Sequence, residues 1–463
     1  MHFDTTFITQ TIPSAFIQGT VPEYINFSVD SRNIQAGDIF IAIKGATCDG
    51  HDFIEQALQN GASGIVIALK FKDQILQTLA QQLKNKLVIA LSNPEVDIIH
   101  LASTWRQKFS IPVIGITGTV GKTTTKEIIK TVLQHAKIPA LVSFGNQNTL
   151  IGASMNILKM TDEHQVAVFE MGISEIGSMQ ELAVLVRPTC AVITMIGRGH
   201  MQGLGTIANI AHEKRAIFSL FNEQNIGIIN GDQKELAAIG YKHPVIRFGK
   251  KNSNQIQVQK IKLQNNALHC FIKIYKKKYA VVLQTTNQSR IFNALAAIAV
   301  GKILNIADEI LIEAVQKFSC ADRRFQFIRL NHECELIDDA YNANPESMKA
   351  SLLAFDQYQT ERDRVLVLGD MLELAEKSAL YHRNIGRLIG KLSRVDCVIL
   401  IGQQSLHIAE TMPKYIQCYH FNKVKDASDL LKNMLLRQNK IFLLKASCSM
   451  GFISLVKQLQ TVS

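Results

Sequence analysis

The segment at positions 115–125, which reads Gly-Ile-Thr-Gly-Thr-Val-Gly-Lys-Thr-Thr-Thr, constrains the fold of this chain most strongly. It follows an apolar, β-branched run (111–116) and opens a helical pattern over 126–135. A strand, a glycine-rich turn and a helix N-terminus together form a phosphate cradle, in which backbone N–H groups face the anion. In such cradles a lysine reaches the outer phosphates and a threonine hydroxyl holds Mg²⁺. The sequence therefore predicts phosphate binding by Gly118, Thr119, Val120, Gly121, Lys122, Thr123 and Thr124.

The bulk composition indicates a globular protein with anionic partners. A length of 463 residues predicts about three domains. No run of about 18 uninterrupted apolar residues occurs, so we expect no membrane insertion. The eight cysteines are scattered without a C-x-x-C pair, which is typical of reduced thiols in a cytoplasmic protein. The net charge of +11 is spread along the chain, which favours a solvated basic surface over a nucleic-acid site, and an anionic small substrate fits the charge equally well.

The order of apolar runs divides the chain into three α/β units. Residues 1–97 read as a small α/β domain that ends near the Ser-Asn-Pro breaker at 92–94. Strand and helix patterns then alternate over 98–318, which predicts a parallel sheet, with an antiparallel addition over 245–286. Residues 319–463 alternate again. Because ligands of doubly wound sheets lie at the carboxyl ends of the strands, we expect the two larger domains to share a cleft.

Three further positions carry candidate chemistry in the central unit. Glu170 ends an apolar strand downstream of the phosphate loop, where a carboxylate suits Mg²⁺. His200 follows the next strand in a Gly-Arg-Gly-His turn, where either a metal or phosphate contact or a surface histidine fits. Lys214, at the start of a helix, reads on its own as a surface lysine.

The turn at 338–345, Asp-Asp-Ala-Tyr-Asn-Ala-Asn-Pro, is the densest polar segment of the last unit. Asn344 is suited to cap a helix that Pro345 begins. Capping does not account for the two aspartates, Tyr341 and Asn342, so this turn is predicted to face a ligand. The chain contains no G-x-S-x-G, H-E-x-x-H or G-x-G-x-x-G motif.

Together these segments resemble the Mur ligase family of peptidoglycan synthesis over nearly the whole chain. The strings Tyr-Asn-Ala-Asn-Pro (341–345) and Gly-Asp-Met-Leu-Glu-Leu (369–374) are similar to those of the members that add D-alanyl-D-alanine to UDP-N-acetylmuramoyl-tripeptide. The other matching segments are 30–32, 118–124, 145–148, 170–172, 293–297, 339–340 and 445–447, with His200, Lys214, Arg324 and His382.

The resemblance implies a role for each domain. The N-terminal α/β domain (1–97) would hold the UDP end of the substrate through Ser31, Arg32 and the loop at 44–51. The central P-loop, parallel-sheet ATPase domain (98–318) would bind ATP. The C-terminal Rossmann-like domain (319–463) would bind the incoming dipeptide and close on the nucleotide.

The resemblance also implies residue roles at the reacting centre. Lys122, His200 and Lys214 would be catalytic. One Mg²⁺ would be held by Thr123 and Glu170, and a second by His200 and a carbamylated Lys214. The remaining implied contacts are Asn293, Arg324 and Asp339 for the nucleotide, and Asn146, Asn148, Tyr341, Asn342 and Asn344 for the substrates.

The implied reaction is an ATP-dependent ligation in the cytoplasm by a monomer. The tripeptide carboxylate attacks the γ-phosphate to give an acyl phosphate and ADP. The amine of D-alanyl-D-alanine then attacks the acyl carbon, and phosphate leaves. The chemistry depends on positioning and on charge neutralisation, as in phosphoryl transfer generally.

The sequence departs from the family pattern at seven positions, which are Thr149, Asn287, Ala446 and four others. Met195, Ser289, Arg323 and Cys448 stand where the family has Asn, His, Gly and Arg. Met195 and Ser289 bear on nucleotide contacts, and Cys448 removes an arginine suited to a substrate carboxylate. None of the four replaces a proposed catalytic residue, so activity is expected.

Two other kinds of protein contain a phosphate loop of this type and are therefore alternatives. A folate polyglutamate ligase has a similar loop, but the Asp-Ser-Arg segment at 30–32 and the turn at 341–345 argue against it. A nucleotide-dependent switch or binding module would bind ATP without amine-dependent turnover. Phosphate release that requires both peptide substrates separates these alternatives.

Overall fold

The computed structural model describes residues 3–22, 25–45, 48–330, 333–436 and 439–462. Three β-sheets follow one another along the chain, and helices pack on them. This arrangement confirms the predicted three-domain α/β architecture. The boundaries at 97/98 and 318/319 stay predictions.

The N-terminal domain is a five-stranded sheet with three helices. Its strands are β1 (Phe16–Gln18), β2 (Asn26–Ser28), β3 (Asp38–Ile41), β4 (Gly64–Ala68) and β5 (Leu87–Leu91), and its helices are α1 (Thr5–Thr11), α2 (Ile54–Gln59) and α3 (Lys72–Thr78). The strand order is β1-β5-β4-β3-β2, and only β1–β5 is antiparallel. Strands β3 to β5 are buried along their whole length, as expected for continuous apolar runs in a parallel sheet.

The central domain is a nine-stranded sheet. Its strands are β6 (Val113–Thr117), β7 (Ala140–Val142), β8 (Val166–Glu170), β9 (Cys190–Ile193), β10 (Ile226–Asn230), β11 (Val245–Gly249), β12 (Ile256–Gln264), β13 (Ala267–Ile274) and β14 (Lys277–Leu283). The order is β14-β13-β12-β11-β10-β9-β6-β8-β7. Only the pairs β12–β13 and β13–β14 are antiparallel, which confirms the predicted antiparallel addition.

Nine helices of the described chain connect or cover these strands. They are α4 (Pro94–Arg106), α5 (Lys122–His135), α6 (Leu150–Ile157), α7 (Ser178–Val186), α8 (Met201–Leu204), α9 (Ile207–Arg215), α10 (Lys234–Ala237), α11 (Ser289–Ile303) and α12 (Asp308–Lys317). Helix α5 begins four residues earlier than the helical pattern predicted, because the phosphate loop already ends at Gly121. Strand β9 ends at Ile193, and the backbone after it turns onto the phosphate loop.

In the part of the C-terminal domain that the structure describes, five α-helices accompany a six-stranded sheet. Its strands are β15 (Gln326–Arg329), β16 (Glu335–Asp338), β17 (Asp363–Gly369), β18 (Cys397–Ile401), β19 (Gln417–Phe421) and β20 (Lys440–Lys445), and its helices are α13 (Pro345–Asp356), α14 (Ser378–Ile389), α15 (Leu406–Ala409), α16 (Val424–Leu436) and α17 (Phe452–Val462). The order is β15-β16-β20-β17-β18-β19, parallel except for β15–β16. Asn344 caps α13 and Pro345 begins it, as predicted.

An aromatic cluster joins the first two domains. The indole of Trp105 on α4 packs edge-on against Phe3 and Phe7, with ring centroids 5.6 and 4.9 Å away. Its Nε1 donates a hydrogen bond to the Met160 carbonyl at 3.1 Å, so the buried indole is also satisfied. Throughout the described segments, no helix combines the length and the apolar character needed to cross a membrane.

Candidate active site

The phosphate loop connects β6 to α5 and depends on two glycines. Gly118 and Gly121 have φ angles of +149° and +93°. A Cβ at position 118 would lie 1.9 Å from Thr194 Oγ1, and one at 121 would lie 2.4 Å from Asn293 Oδ1, so no larger residue fits without rearrangement. Gly121 also leaves the start of α5 without a side-chain cap. The first N–H groups of α5 are therefore available to an anion.

Lys122 and Thr123, the first residues of α5, face the end of β8. The Lys122 ammonium donates to the Gly118 carbonyl at 2.9 Å. Burial lowers the pKa of Lys122, while the carboxylate of Glu170 opposes that shift. The Thr123 hydroxyl donates to Glu170 Oε2 at 2.8 Å, and Asn148 Nδ2 donates to Glu170 Oε1 at 2.9 Å. Phosphate-binding and carboxylate groups are thus held in one cluster.

A cavity of about 500 Å³ opens over this cluster. A second cavity of about 520 Å³ shares six of its lining residues, so the two form one continuous cleft between the central and C-terminal domains. The predicted site residues that line the cleft are Thr119, Val120, Gly121, Lys122, Thr123, Asn146, Asn148, Glu170, His200, Arg324, Tyr341, Asn342 and Asn344.

Arg324 and Tyr341 bring the C-terminal domain onto the phosphate loop. The Arg324 guanidinium lies 3.9 Å from the centroid of the Tyr341 ring, and its Nη2 donates to Thr123 Oγ1 at 3.3 Å. Burial lowers the pKa of Arg324, while the negative charge of Glu170 opposes this shift. Its Nε is buried and has no hydrogen-bond partner within the described ranges. A buried, unsatisfied cationic donor beside a phosphate loop fits an anionic ligand.

The predicted nucleotide contacts Thr124, Asn293 and Asp339 line a smaller cavity of about 50 Å³ on the other side of the loop. There the Asp339 carboxylate accepts hydrogen bonds from Phe325 N at 2.9 Å and from the Ser351 hydroxyl. It also pairs with the buried Lys445 ammonium at 2.7 Å. In this structure Asp339 therefore stabilises the turn that precedes Tyr341, and its contact with a nucleotide stays a prediction.

His200 and Lys214 differ in how close they lie to the cleft. His200 lines both cavities, and its Nδ1 lies 2.7 Å from Glu373 Oε2. Lys214 is 1% exposed and is absent from the residues that line the cleft. Burial moves the pKa of Lys214 well below its ordinary value, and the positive charge of Lys122 adds to this shift. Lys214 is therefore a buried lysine whose environment disfavours the charged form, whereas its sequence position alone suggested a surface lysine.

A preformed metal cluster is not part of the described structure. Across those residues, no group of three or more His, Cys, Asp or Glu side chains has a metal-binding arrangement. The predicted ligands Thr123 and Glu170 are nevertheless in contact. A hydroxyl and a carboxylate are the oxygen donors that Mg²⁺ uses together with waters and substrate phosphates, so this pair fits Mg²⁺.

Ser31 and Arg32 of the N-terminal domain lie away from the cleft. Ser31 is buried, and its hydroxyl donates to Gln56 Oε1 at 2.7 Å. The Arg32 side chain is 78% exposed and pairs with Asp30 at 2.8 Å. Of the predicted loop at 44–51, positions 46 and 47 lie outside the described residues.

Lys126 is a site-supporting residue that the sequence analysis missed. It is fully buried, and its ammonium donates to the Ser143 and Gly145 carbonyls at 2.8 and 2.7 Å. These bonds hold the loop that carries Asn146 and Asn148. The spacing of Lys126 from the buried Ile129 and Leu133 on one face of α5 is a signal that could have identified it.

Two of the departures from the family pattern make hydrogen bonds near the site. Met195 contributes its carbonyl, which accepts from Thr119 N at 2.7 Å, so the contact does not depend on the side chain. Arg323 has a left-handed φ of +56°, where the family has glycine, and its guanidinium donates to the Ala340 carbonyl at 2.6 Å. Cys448 is exposed and lines both parts of the cleft.

Comparison with known proteins yields matches along nearly the whole chain. Residues 23–107 match the Mur ligase family, catalytic domain; residues 116–301 the Mur ligase middle domain; and residues 323–448 the Mur ligase, glutamate ligase domain. The chain is 31% identical to the UDP-N-acetylmuramoyl-tripeptide–D-alanyl-D-alanine ligase of Bacillus subtilis (strain 168), covering 93% of this chain and 92% of that protein. The corresponding ligase of Escherichia coli (strain K12) is 28% identical, with 94% and 93% covered.

Solved structures agree with these matches. The MurF ligase from Thermotoga maritima in complex with ADP superposes with a TM-score of 0.77 at 25% identity, covering 94% of this chain and 97% of that one. MurF from Acinetobacter baumannii has the same fold, with a TM-score of 0.80 at 24% identity and 100% and 99% covered. Since the three family models match most of the chain and the Bacillus subtilis relative is 31% identical over 93% of it, the chain belongs to the Mur ligase family.

Proposed function

We propose that this protein is an ATP-dependent amide-bond ligase that adds D-alanyl-D-alanine to UDP-N-acetylmuramoyl-tripeptide in peptidoglycan precursor synthesis. The names of the Bacillus subtilis and Escherichia coli relatives support this substrate pair. The observation that carries the proposal is the cleft itself. It brings the phosphate loop, Glu170 and His200 of the central domain together with the turn at 341–344 of the C-terminal domain.

Phosphate binding is assigned to the loop from Gly118 to Thr124. Its backbone N–H groups and the start of α5 bind the ATP phosphates, and Lys122 exchanges its bond with Gly118 for one to the outer phosphate. Arg324 adds a second cation from the C-terminal domain. Asn293 and Asp339 are assigned to the nucleotide side of the same loop, where they line the small cavity.

Two Mg²⁺ ions are proposed to accompany ATP. Thr123 and Glu170 would hold one, and His200 and a carbamylated Lys214 the other. Carbamylation requires an unprotonated amine, and the lowered pKa of Lys214 favours that form. The modification would convert the buried amine into an anion suited to a divalent metal. Bound Mg²⁺ supplies positive charge that stabilises the negative phosphate oxygens.

The residues of the cleft are proposed to position two successive displacements. The terminal carboxylate of the tripeptide attacks the γ-phosphorus of ATP. The bond from this phosphorus to the bridging oxygen breaks, so that ADP departs and the tripeptide carries an acyl phosphate. The amine of D-alanyl-D-alanine attacks the acyl carbon, loses a proton, and expels phosphate. Lys122 and Arg324 neutralise charge that develops on phosphate oxygens. Contact between the two domains excludes water, which would otherwise hydrolyse the acyl phosphate.

Substrate contacts are proposed along the length of the molecule. Asn146, Asn148, Tyr341, Asn342 and Asn344 line the cleft and are assigned to the peptide substrates. The N-terminal domain is assigned to the UDP end through Ser31 and Arg32. For this role Arg32 would exchange its surface pair with Asp30 for the substrate.

We propose a cytoplasmic enzyme that is active as a monomer. The cysteines within the described chain form no disulfide, which suits a reducing compartment. Light scattering during gel filtration, at the concentration used for activity, tests the monomer.

The experiment that tests the function is phosphate release from ATP and Mg²⁺ with UDP-N-acetylmuramoyl-tripeptide, with and without D-alanyl-D-alanine. Release that needs both peptide substrates is expected, and mass spectrometry should detect the pentapeptide product. Lys122→Ala should abolish release, whereas Lys130→Ala, on the exposed side of the same helix, should not. ATP binding without turnover would favour a nucleotide switch. Release stimulated by glutamate and a folate would favour the polyglutamate ligase.

A further inference from the structure

An Arg–Glu pair joins the central and C-terminal domains next to the cleft. Arg198 Nη1 lies 2.7 Å from Glu346 Oε1, and the backbone N–H of Arg198 donates to Glu346 Oε2 at 2.9 Å. One carboxylate thus binds both the side chain and the backbone of the same residue. The side chains are 40% and 15% exposed, so the carboxylate is largely shielded from water. The Arg198 guanidinium also lies over the Tyr381 ring, 5.6 Å from its centroid.

On the C-terminal side, the pair is fixed to the turn that lines the cleft. Glu346 is the second residue of α13, which begins at Pro345 and is capped by Asn344 through a reciprocal capping box. The three residues before this cap include Tyr341 and Asn342, both of which line the cleft. Glu346 and the cleft-lining turn are therefore parts of one rigid segment, since a capped helix start fixes the entering chain.

On the central side, the pair is fixed to the phosphate loop. Gly197 N donates to Thr119 Oγ1 at 3.0 Å, and that hydroxyl donates to the Gly197 carbonyl at 3.1 Å. Glu346 packs directly on Gly197, where an added Cβ would lie 3.0 Å from its Cδ. The 197–200 segment therefore lies between the phosphate loop and Glu346. It ends at His200, whose φ is +57°.

A simpler role for Glu346 would be to stabilise its own helix. An acidic side chain in the first turn of a helix interacts favourably with the helix dipole. That role does not require either carboxylate oxygen to bind another domain, yet both oxygens bind Arg198, 148 residues away in sequence. The geometry thus points to a function between domains.

We propose that Glu346 is a positioning residue: it holds Arg198 and thereby fixes the 197–200 segment, with His200, against the phosphate loop when the C-terminal domain docks. Glu346 does not line the cleft and does not touch the reacting groups. The catalytic meaning of this placement rests on the proposed function. The placement itself does not, and can be measured in the unliganded protein.

The direct test is amide hydrogen exchange in the nucleotide-free protein. Because the Arg198 N–H is bound by the Glu346 carboxylate, Glu346→Ala should speed exchange in the peptide that contains the 197–200 segment. Glu346→Gln, which retains an acceptor but not the charge, should give an intermediate rate. The matched control is Glu410→Ala, which removes an Arg–Glu pair of 2.6 Å within the C-terminal domain. Unchanged exchange in Glu346→Ala, or the same increase in Glu410→Ala, would overturn the proposal.

Kinetics then separate positioning from a purely structural role. Misplacement of a reacting group by about 1 Å costs about 100-fold in rate, so Glu346→Ala should lower kcat by about 10- to 100-fold. KM for ATP and the melting temperature should stay close to wild type. The double variant Arg198→Ala/Glu346→Ala should be no slower than Glu346→Ala alone, since both changes break one pair. Additive losses, or a loss confined to KM, would contradict the proposal.

The two proposals can fail separately. If the wild-type protein releases no phosphate with both peptide substrates, the proposed function fails, while hydrogen exchange still reports on the pair. If the wild type is an active ligase and Glu346→Ala neither exchanges faster nor turns over more slowly, only the positioning role fails.

Discussion

The imidazole Nδ1 of His200 lies 2.7 Å from Glu373 Oε2, so a charged hydrogen bond connects the central domain to the C-terminal domain across the cleft. Both residues have left-handed backbones, with φ angles of +57° and +61°. The backbone N–H of Gln202 donates to the Glu373 carbonyl at 3.1 Å, and this bond fixes the backbone at Glu373. The bond from His200 lowers the pKa of Glu373. A carboxylate at Nδ1 orients a histidine ring and directs its Nε2 toward a ligand.

Glu373→Gln should therefore weaken the response to Mg²⁺. Loss of a carboxylate that orients a metal-binding histidine typically costs about 10- to 100-fold in metal affinity or activity. We expect the Mg²⁺ concentration for half-maximal phosphate release to rise within that range. Initial rates over a Mg²⁺ titration measure this, and Glu376→Gln, an exposed acid nearby on the chain, is the control. Identical Mg²⁺ curves for Glu373→Gln and wild type would exclude a role for this bond in metal binding.

Lys126→Met should lower both stability and substrate affinity. The change removes the hydrogen bonds to the Ser143 and Gly145 carbonyls. Leaving buried acceptors unsatisfied costs about 1–3 kcal/mol each, so the free energy of unfolding should fall by at least that amount. KM for the tripeptide substrate should rise, because the loop at 145–148 loses its support. Denaturant unfolding and initial rates measure the two effects.

The control for this change is Lys130→Met on the same helix. The Lys130 side chain is 50% exposed and lies 3.9 Å from Glu127, a separation at which a surface pair contributes little. The unfolding free energy of Lys130→Met and its KM for the tripeptide substrate should match those of the wild type. Equal destabilisation by both variants would mean that the helix, rather than the loop contact, accounts for the effect.

The local structure around the candidate site is what the sequence predicted correctly. The strand, the glycine turn and the helix of the phosphate loop are continuous, and Glu170 follows on the next strand but one. The cap by Asn344 and the helix start at Pro345 likewise depend on neighbours only. Such features follow from backbone rules that involve a few consecutive residues.

The parts that the sequence could not provide are contacts between distant residues. Arg324 and Thr123 are 201 positions apart, and Arg198 and Glu346 are 148 apart. These contacts depend on how two domains dock, which no local pattern encodes. Asp339 shows the same limit within one domain: its acidic turn was recognisable, but its partner Lys445 lies 106 positions later, on strand β20 of the C-terminal sheet.

His382→Gln should make stability less sensitive to acid. His382 is fully buried; its Nε2 accepts from Met371 N at 3.0 Å, and its Nδ1 lies 2.8 Å from the Ser378 carbonyl. Burial lowers its pKa below the ordinary 6.5. The unfolded chain therefore binds a proton at a higher pH than the folded chain. The neutral ring contributes its full stability above about pH 6.5. This contribution is lost as the pH falls through the lower pKa that His382 has in the folded protein.

Unfolding free energies measured by denaturant between about pH 7.5 and about pH 5.5 test this sign. Wild type should lose more stability over this range than His382→Gln does, whatever the starting stability of the variant. His420→Gln, at an exposed histidine, should keep the wild-type slope. Parallel slopes for His382→Gln and wild type would show that another group titrates.

Alkylation of Cys448 should block turnover. Cys448 is exposed and lines both parts of the cleft, as Lys122 and His200 do. A maleimide adduct there would occupy space that the substrates need, so N-ethylmaleimide should inactivate the enzyme, and bound substrates should slow the inactivation. Cys448→Ser should retain activity and resist the reagent, whereas Cys418→Ser, which removes an exposed thiol outside the cleft, should remain sensitive. Inactivation of Cys448→Ser at the wild-type rate would place the sensitive thiol elsewhere.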